Sequence, residues 1–238
     1  MIKTIHRSES RGHSLYEWLD SKHNFSFSGY SDPKRMHFGA LRVLNDDIIQ
    51  ENSGFGKHPH DNMEIITIPI DGSLRHADSM GHEQIIGVNE VQVMSAGTGI
   101  YHSEYNASKT NAANFLQLWI FPDKQNVKPV YDQKMFSIVK AKNCWQALVT
   151  SIHDDQESSL KIHQDAIISR TVLSSGNSIN YQLKSTNHGS FLFIISGEIE
   201  IDNEVFFERD AIGISDITSF TLKANKTSYI LNIEVPKF

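Results

Sequence analysis

Two short motifs in the first half of the chain hold the residue types that a metal centre requires. A His-Pro-His run begins at His58, and a His-Ser-Glu run begins at His102. Side chains of a β-strand alternate between its two faces, so His58 shares a face with His60, and His102 shares one with Glu104. If the two strands are neighbours, three imidazoles and one carboxylate converge. These donors suit Fe, Ni, Cu, Zn or Mn, and four protein ligands leave the open positions that a catalytic metal needs.

The sequence around both motifs favours a site, although the spacing alone leaves a second reading open. Histidines two residues apart also occur on surfaces and in cores, where they bind nothing. Gly54 and Gly56 precede the first motif, and Gly97 and Gly99 precede the second. Glycine lets a loop bend tightly and brings backbone close to a site. Metal binding and scattered structural histidines therefore both remain as interpretations of the spacing.

Other residues of the same types predict less chemistry. Ser103 does not form a hydrolase triad with its neighbours, because adjacent strand residues face opposite ways. His76 and His82 flank a turn, and we expect both to be solvated. Cys144 has no neighbouring basic cluster to lower its pKa, so we expect an inert, buried thiol.

Composition narrows the classes of protein that the chain can be. It has 238 residues, a net charge of −6, and 12 histidines, nine of which lie in the first 102 residues. A single cysteine excludes an intrachain disulfide and a cysteine-rich zinc cluster. No apolar run is long enough to cross a membrane, and the first residues lack the apolar core of a signal peptide. The acidic balance argues against duplex nucleic acid as a partner. We expect a cytoplasmic protein.

Short apolar segments separated by turn residues predict an all-β fold. Strands are predicted at Glu64–Ile70, near Val91–Ser95, at Asn114–Phe121 and throughout the second half. One short helix is predicted near the N-terminus over residues 14–21, where Leu15, Trp18 and Leu19 have helical spacing. A polar stretch with two prolines, within about 122–140, is the predicted linker. It divides an N-terminal domain of residues 1–125 from a C-terminal domain of residues 126–238.

The sequence around the two histidine motifs resembles the pirin family of the cupin superfamily. The resemblance covers about residues 15–122, and the second half is similar only in its β pattern. The matching segments are Phe25–Pro33, Leu41–Asp46, Gly54–Glu64, Asp78–Gly81 and Val91–Glu104. The Pro-Gly turn that often precedes the His-Pro-His loop in the family is replaced here by Gln50–Ser53.

This resemblance implies a bicupin, with two β-barrel domains and a metal only in the N-terminal one. The family's ligands fall on His58, His60, His102 and Glu104. The cofactor implied is one divalent metal ion, Fe(II) first, with Ni, Co, Cu, Mn or Zn as alternatives. Glu64 would then lie beside the ligands or in the pocket wall, where it could orient a ligand or accept a proton.

Bacterial members of the family resemble quercetin 2,3-dioxygenases, which implies opening of the central ring of a flavonol by O2. The partners implied are therefore a small aromatic molecule and O2. A base must take the proton of the flavonol 3-hydroxyl group, and the candidates are Glu104 and Glu64. A flat substrate needs an apolar slot. The candidate lining residues near the motifs are Phe55, Met63, Met94 and Tyr101.

Two other functions remain open at this point. The chain could be an iron-containing regulator that binds protein partners according to redox state. It could also be a metal-dependent cupin that acts on another small molecule. Flavonol consumption that is lost in His102→Ala separates the dioxygenase from both.

Overall fold

Alternating apolar and polar residues extend along most of the chain, and they form β-strands almost throughout. The computed structural model describes residues 1–238. Its twenty strands are Ile2–His6 (β1), Gly12–Tyr16 (β2), Leu19–His23 (β3), Leu41–Ile49 (β4), Gly54–His60 (β5), Glu64–Asp71 (β6), Ser73–Asp78 (β7), Glu83–Gly87 (β8), Glu90–Ser95 (β9), Ile100–Asn106 (β10), Ala113–Ile120 (β11), Val130–Met135 (β12), Gln146–Ser151 (β13), Leu160–Ile162 (β14), Ile167–Leu173 (β15), Ser178–Gln182 (β16), His188–Ile201 (β17), Glu204–Phe207 (β18), Ala211–Ser215 (β19) and Ser219–Pro236 (β20). Two short 3-10 helices cover Ser8–Ser10 and Ile138–Ala141.

The strands form three sheets. The N-terminal half holds a four-stranded sheet in the order β5-β10-β7-β8 and a seven-stranded sheet in the order β12-β9-β6-β11-β4-β3-β2. The C-terminal half forms a nine-stranded sheet, with the path β1-β19-β17-β20-β15-β13-β14 and two further strands, β16 and β18, paired beside it. The all-β expectation is therefore confirmed. No helix of the structure is long and apolar enough to span a membrane.

Each half of the chain contributes a strand to the other half's sheet. β1 pairs with β19 in the C-terminal sheet, and β12 pairs with β9 in the N-terminal one. The stretch predicted as a linker thus contains a strand. A division at residues 125 and 126 remains a prediction for the domains, but cutting the chain there would leave one strand of each sheet on the wrong piece.

One apolar core joins the two halves. Its 25 buried residues come from both, among them Leu44 and Leu118 from the first half and Phe191 and Leu231 from the second. Charged contacts cross the same boundary, since Arg209 Nη1 lies 2.9 Å from Asp46 Oδ1. Burial of this much apolar surface is the main force that holds the halves together.

The predicted N-terminal helix is wrong: residues 14–21 lie in a hairpin of β2 and β3. Leu19 packs in a buried cluster with Ile49, whereas Leu15 is 67% exposed. A helix would place both leucines on one face, but pairing of β3 with β4 puts them in different environments. Trp18 packs edge-to-face on Phe55 at 5.2 Å, so tertiary contacts outweigh the local helical spacing.

The expectation for Cys144 is also wrong. Its thiol is exposed rather than buried, and its sulfur lies 3.0 Å from the carbonyl oxygen of Lys140. The residue sits just after the short helix Ile138–Ala141, in a connecting segment that the apolar core does not cover.

Candidate metal centre

Three imidazoles meet where β5 pairs with β10. His58 lies directly opposite His102, and His60 lies opposite Ile100. Because side chains two residues apart share a strand face, His60 and His58 point the same way, toward His102. The ring centroids are 4.4 Å apart for His58 and His102, 4.8 Å for His60 and His102, and 4.9 Å for His58 and His60.

The hydrogen bonds of these histidines leave nitrogen lone pairs available. His58 Nδ1 donates to the carbonyl oxygen of Gly56 at 2.7 Å, so its Nε2 carries the lone pair. His102 is buried, and neither of its ring nitrogens has a hydrogen-bond partner. A buried polar atom without a partner costs free energy. The donor set and the unpartnered nitrogens together fit a divalent metal ion.

Glu104 is buried behind the histidines and is held by two donors from the facing sheet. Thr67 Oγ1 donates to its Oε1 at 3.2 Å, and Gln117 Nε2 donates to its Oε2 at 2.6 Å. These bonds fix the carboxylate in one orientation. Each oxygen keeps a lone pair for another partner.

His76 belongs to the same cluster, although the sequence placed it in solvent. Pairing of β10 with β7 sets it opposite Glu104, and its side chain is fully buried. Its Nε2 donates to Asp78 at 3.1 Å, and its Nδ1 has no partner. Ligand atoms of His76, His102 and Glu104 lie within 4.8 Å of one another, as do those of His58, His60 and His102. In the sequence, the only indication of this role was that Asp78 follows His76 by two residues and so shares its strand face. The indication could be interpreted only once the pairing of β7 with β10 was known.

Burial keeps His60 and His102 neutral. Desolvation, with the neighbouring imidazoles, lowers the pKa of His60 to about 4 and that of His102 to about 3. Neutral imidazole is the form that binds a metal. These groups therefore need no deprotonation step near neutral pH before a metal binds.

A cavity of about 500 Å³ opens beside the cluster. His58, His60 and Glu104 line one end of it. Five aromatic side chains form much of its wall: Tyr16, Trp18, Phe27, Phe55 and Trp119. Such a volume and lining fit a small aromatic molecule.

Of the four side chains expected to line a pocket, the structure brings only Phe55 to this cavity. Met94 is fully buried in a core cluster with Ile65, and Met63 packs against that cluster. Tyr101 is 51% exposed and lies under the ammonium group of Lys57, 5.4 Å from its ring centroid. Proximity in sequence did not specify which face each side chain would take.

Glu64 does not join the histidine cluster either. It lies three residues from Thr67 on β6, so it occupies the opposite face of the strand from the side chain that contacts Glu104. Ser95 Oγ donates to its Oε2 at 2.6 Å. The carboxyl group faces the second half of the chain, near the backbone of His163, and burial raises its pKa to about 7.

This burial predicts a pH dependence of stability for metal-free protein. The folded-state pKa of Glu64 exceeds its ordinary value, so ionisation costs folding free energy as pH rises from about 4.5 to 7. Glu64→Gln removes that cost. Relative to wild type, the variant should gain about 2–3 kcal/mol of unfolding free energy between pH 5 and pH 8. Urea unfolding at both pH values measures it.

The exposed Glu83 provides the control for this prediction. Glu83→Gln should show the same difference from wild type at both pH values. A Glu64→Gln variant whose difference from wild type is also independent of pH would contradict the prediction.

The chain matches two family models and is similar to known proteins in sequence and in structure. The model described as Pirin matches residues 4–120, and that described as Quercetinase C-terminal cupin domain matches residues 148–235. Quercetin 2,3-dioxygenase of Escherichia coli (strain K12) is 38% identical over 232 residues, 98% of either chain. The Pirin-like protein of Caulobacter vibrioides is 36% identical over 223 residues, 94% of this chain and 95% of the relative. The crystal structure of bacterial pirin YhhW in complex with nickel(II) from Escherichia coli has a TM-score of 0.93, 35% identity and 100% coverage of both chains.

Proposed function

The chain belongs to the pirin family of cupin proteins, and from this membership and the geometry of the site we propose that it is a metal-dependent dioxygenase that opens the central ring of a flavonol such as quercetin with O2. The observation that carries the proposal is the histidine cluster, with His102 buried and His58 and His60 half-buried, at the end of an aromatic-lined cavity. Relatives named quercetin 2,3-dioxygenase support the reaction class.

The proposed ligands are His58, His60, His102 and Glu104. The unpartnered nitrogens of His102 and the oriented ring of His58 support this set. A divalent ion held there would supply Lewis-acid stabilisation of a substrate oxyanion. We propose Fe(II), with Ni, Co, Cu, Mn and Zn as the alternatives that reconstitution distinguishes. The nickel(II) in the structure of the relative YhhW supports a divalent metal ion at this site.

The protein groups around the ligands can bind the substrate and take its proton. The aromatic walls of the cavity would hold a flat ring system and exclude water from the reacting end. Glu104 has a lone pair on each oxygen beyond the bonds from Thr67 and Gln117, so it can accept the proton of the 3-hydroxyl group. His76 Nδ1 is a second acceptor in the same cluster, oriented by Asp78.

Oxygen uptake with quercetin tests this function. Protein stripped of metal is loaded separately with each of the six ions, and O2 uptake, flavonol absorbance and carbon monoxide release are followed together. We expect uptake coupled to flavonol loss with at least one ion, and none in the stripped protein. Verified metal binding without flavonol consumption for any ion would refute the dioxygenase.

A further inference from the structure

A row of polar side chains leads away from Glu104 across the floor of the cavity. Residues opposite each other on neighbouring strands point to the same face. Thr67 pairs with Gln117, Gln117 pairs with Asn45, and Asn45 pairs with His23, across β6, β11, β4 and β3. Neighbouring strands lie about 4.8 Å apart, so His23 is about 10 Å from Gln117. The cavity therefore has a second polar end, which begins at Asn45, one strand beyond Gln117.

Asp47 lies at this second end, in an environment that is unusual for a carboxyl group. It is 2% exposed, lines the cavity and has no cationic partner. Its neighbour Asp46 points the other way and meets two guanidinium groups, those of Arg11 and Arg209. The fold thus compensates the charge of one aspartate and leaves the adjacent one facing the cavity. Burial raises the pKa of Asp47 to about 7.

Two polar atoms at this end lack a partner in the protein. Ser21 Oγ donates to Asp47 Oδ1, but no group donates to Oδ2. His23 Nδ1 donates to Asn45 Oδ1 at 2.9 Å, and its Nε2 accepts from Ser14 Oγ at 2.9 Å. These bonds fix the amide of Asn45, whose Nδ2 has no acceptor. Neither unpaired atom is sealed inside protein, because both residues line the cavity.

We propose that Asp47 and Asn45 form a subsite that recognises adjacent hydroxyl groups on the part of an aromatic substrate remote from the metal. One hydroxyl donates to Asp47 Oδ2, and its neighbour accepts from Asn45 Nδ2. An ammonium group offers only donors and would leave Asn45 Nδ2 unpaired, so the chemistry favours a diol over an amine. This inference rests on the proposed function and makes substrates with a catechol ring the preferred ones.

The aromatic walls support a flat molecule between the two polar ends. Trp18 packs edge-to-face on Phe55 at 5.2 Å, and Phe27 packs on Trp119 at 5.3 Å. Trp119 also contacts His60 at 4.9 Å, so the apolar wall is continuous with the histidine cluster. A substrate whose oxyanion lies at the cluster would direct its far ring toward Asp47.

Two flavonols that differ at this ring test the subsite. Quercetin carries a catechol there, and galangin carries a bare phenyl ring. With metal-loaded protein, we expect kcat/KM to favour quercetin by about tenfold or more, because the subsite leaves polar atoms unpaired with galangin. In Asp47→Leu the preference should disappear, because quercetin loses its hydrogen-bond acceptor and the bare ring of galangin no longer faces an unpaired carboxyl group. Asp47→Asn, which keeps the shape, should retain part of it.

Asp20→Leu is the matched control, since Asp20 lies next to Ser21 on the outward face of β3 and pairs with His13. It should keep the wild-type preference. Equal kcat/KM for both flavonols in wild type would overturn the subsite, and so would an undiminished preference in a folded Asp47→Leu variant. If neither flavonol is consumed, the proposed function fails. The subsite is then tested by quenching of tryptophan fluorescence, where a tenfold difference in Kd supports it and equal Kd values overturn it.

Discussion

His102→Ala is expected to remove metal binding and, with it, flavonol consumption. His102 is the residue that the two groups of converging ligand atoms share, and both of its ring nitrogens are buried without a partner. Loss of a residue that only orients a ligand costs 10–100-fold in metal affinity, so loss of a ligand should cost more than about 100-fold. Titration against a competing chelator measures the affinity, and elemental analysis measures the metal content.

The matched control is His153→Ala, because His153 is exposed and its ring makes no hydrogen bond. It should bind metal as wild type does. Circular dichroism and thermal melting establish that the His102→Ala protein is folded, so that a lost metal is not a lost structure. A folded variant with wild-type metal affinity would exclude His102 from the ligand set.

Phe191→Ala is expected to cost about 3–5 kcal/mol of unfolding free energy. The ring is fully buried in the core that both halves share. It lies 5.2 Å from the ring of Phe25 and 5.5 Å from that of Phe38, both from the first half of the chain. Truncation leaves a cavity between sheets that cannot close without moving a strand. Urea unfolding of metal-free protein measures the loss.

Phe207→Ala provides the comparison, because Phe207 is 54% exposed and should cost about 0.5 kcal/mol or less. Since β1 and β12 cross between the sheets, both variants should unfold in one transition. A loss below about 1 kcal/mol for Phe191→Ala would show that the two halves do not depend on this core. Separate unfolding transitions for the two halves would also show that the halves do not depend on this core.

Structural features that depend on short-range patterns could be predicted from the sequence. Alternation with period two indicated strands such as β6 and β11, because it depends only on neighbouring residues. The same alternation indicated that His58 and His60 share a face, and that His102 shares one with Glu104. The family resemblance then supplied the partnership of the two motifs, and the pairing of β5 with β10 agrees with it.

Strand pairing decided what the local patterns could not. The face that Glu64 takes depends on which residues of β6 oppose β11, and a shift by one residue reverses it. His76 entered the metal cluster because β7 pairs with β10 in the register that sets it opposite Glu104. Leu15 and Trp18 have helical spacing, yet they lie in a hairpin because β3 pairs with β4 and β2 pairs with β3 at the edge of the sheet.

The sequence by itself determined the all-β architecture and the residue types of the candidate metal centre, since both follow from local alternation and from donor chemistry. Only the tertiary structure decided the second polar end of the cavity. Asp46 and Asp47 are adjacent and chemically identical, and nothing local distinguishes them. The position of β4 between β3 and β11 turns Asp46 toward Arg11 and Arg209 and Asp47 into the cavity. Sheet register is a property of distant segments, so it is absent from any local stretch of sequence.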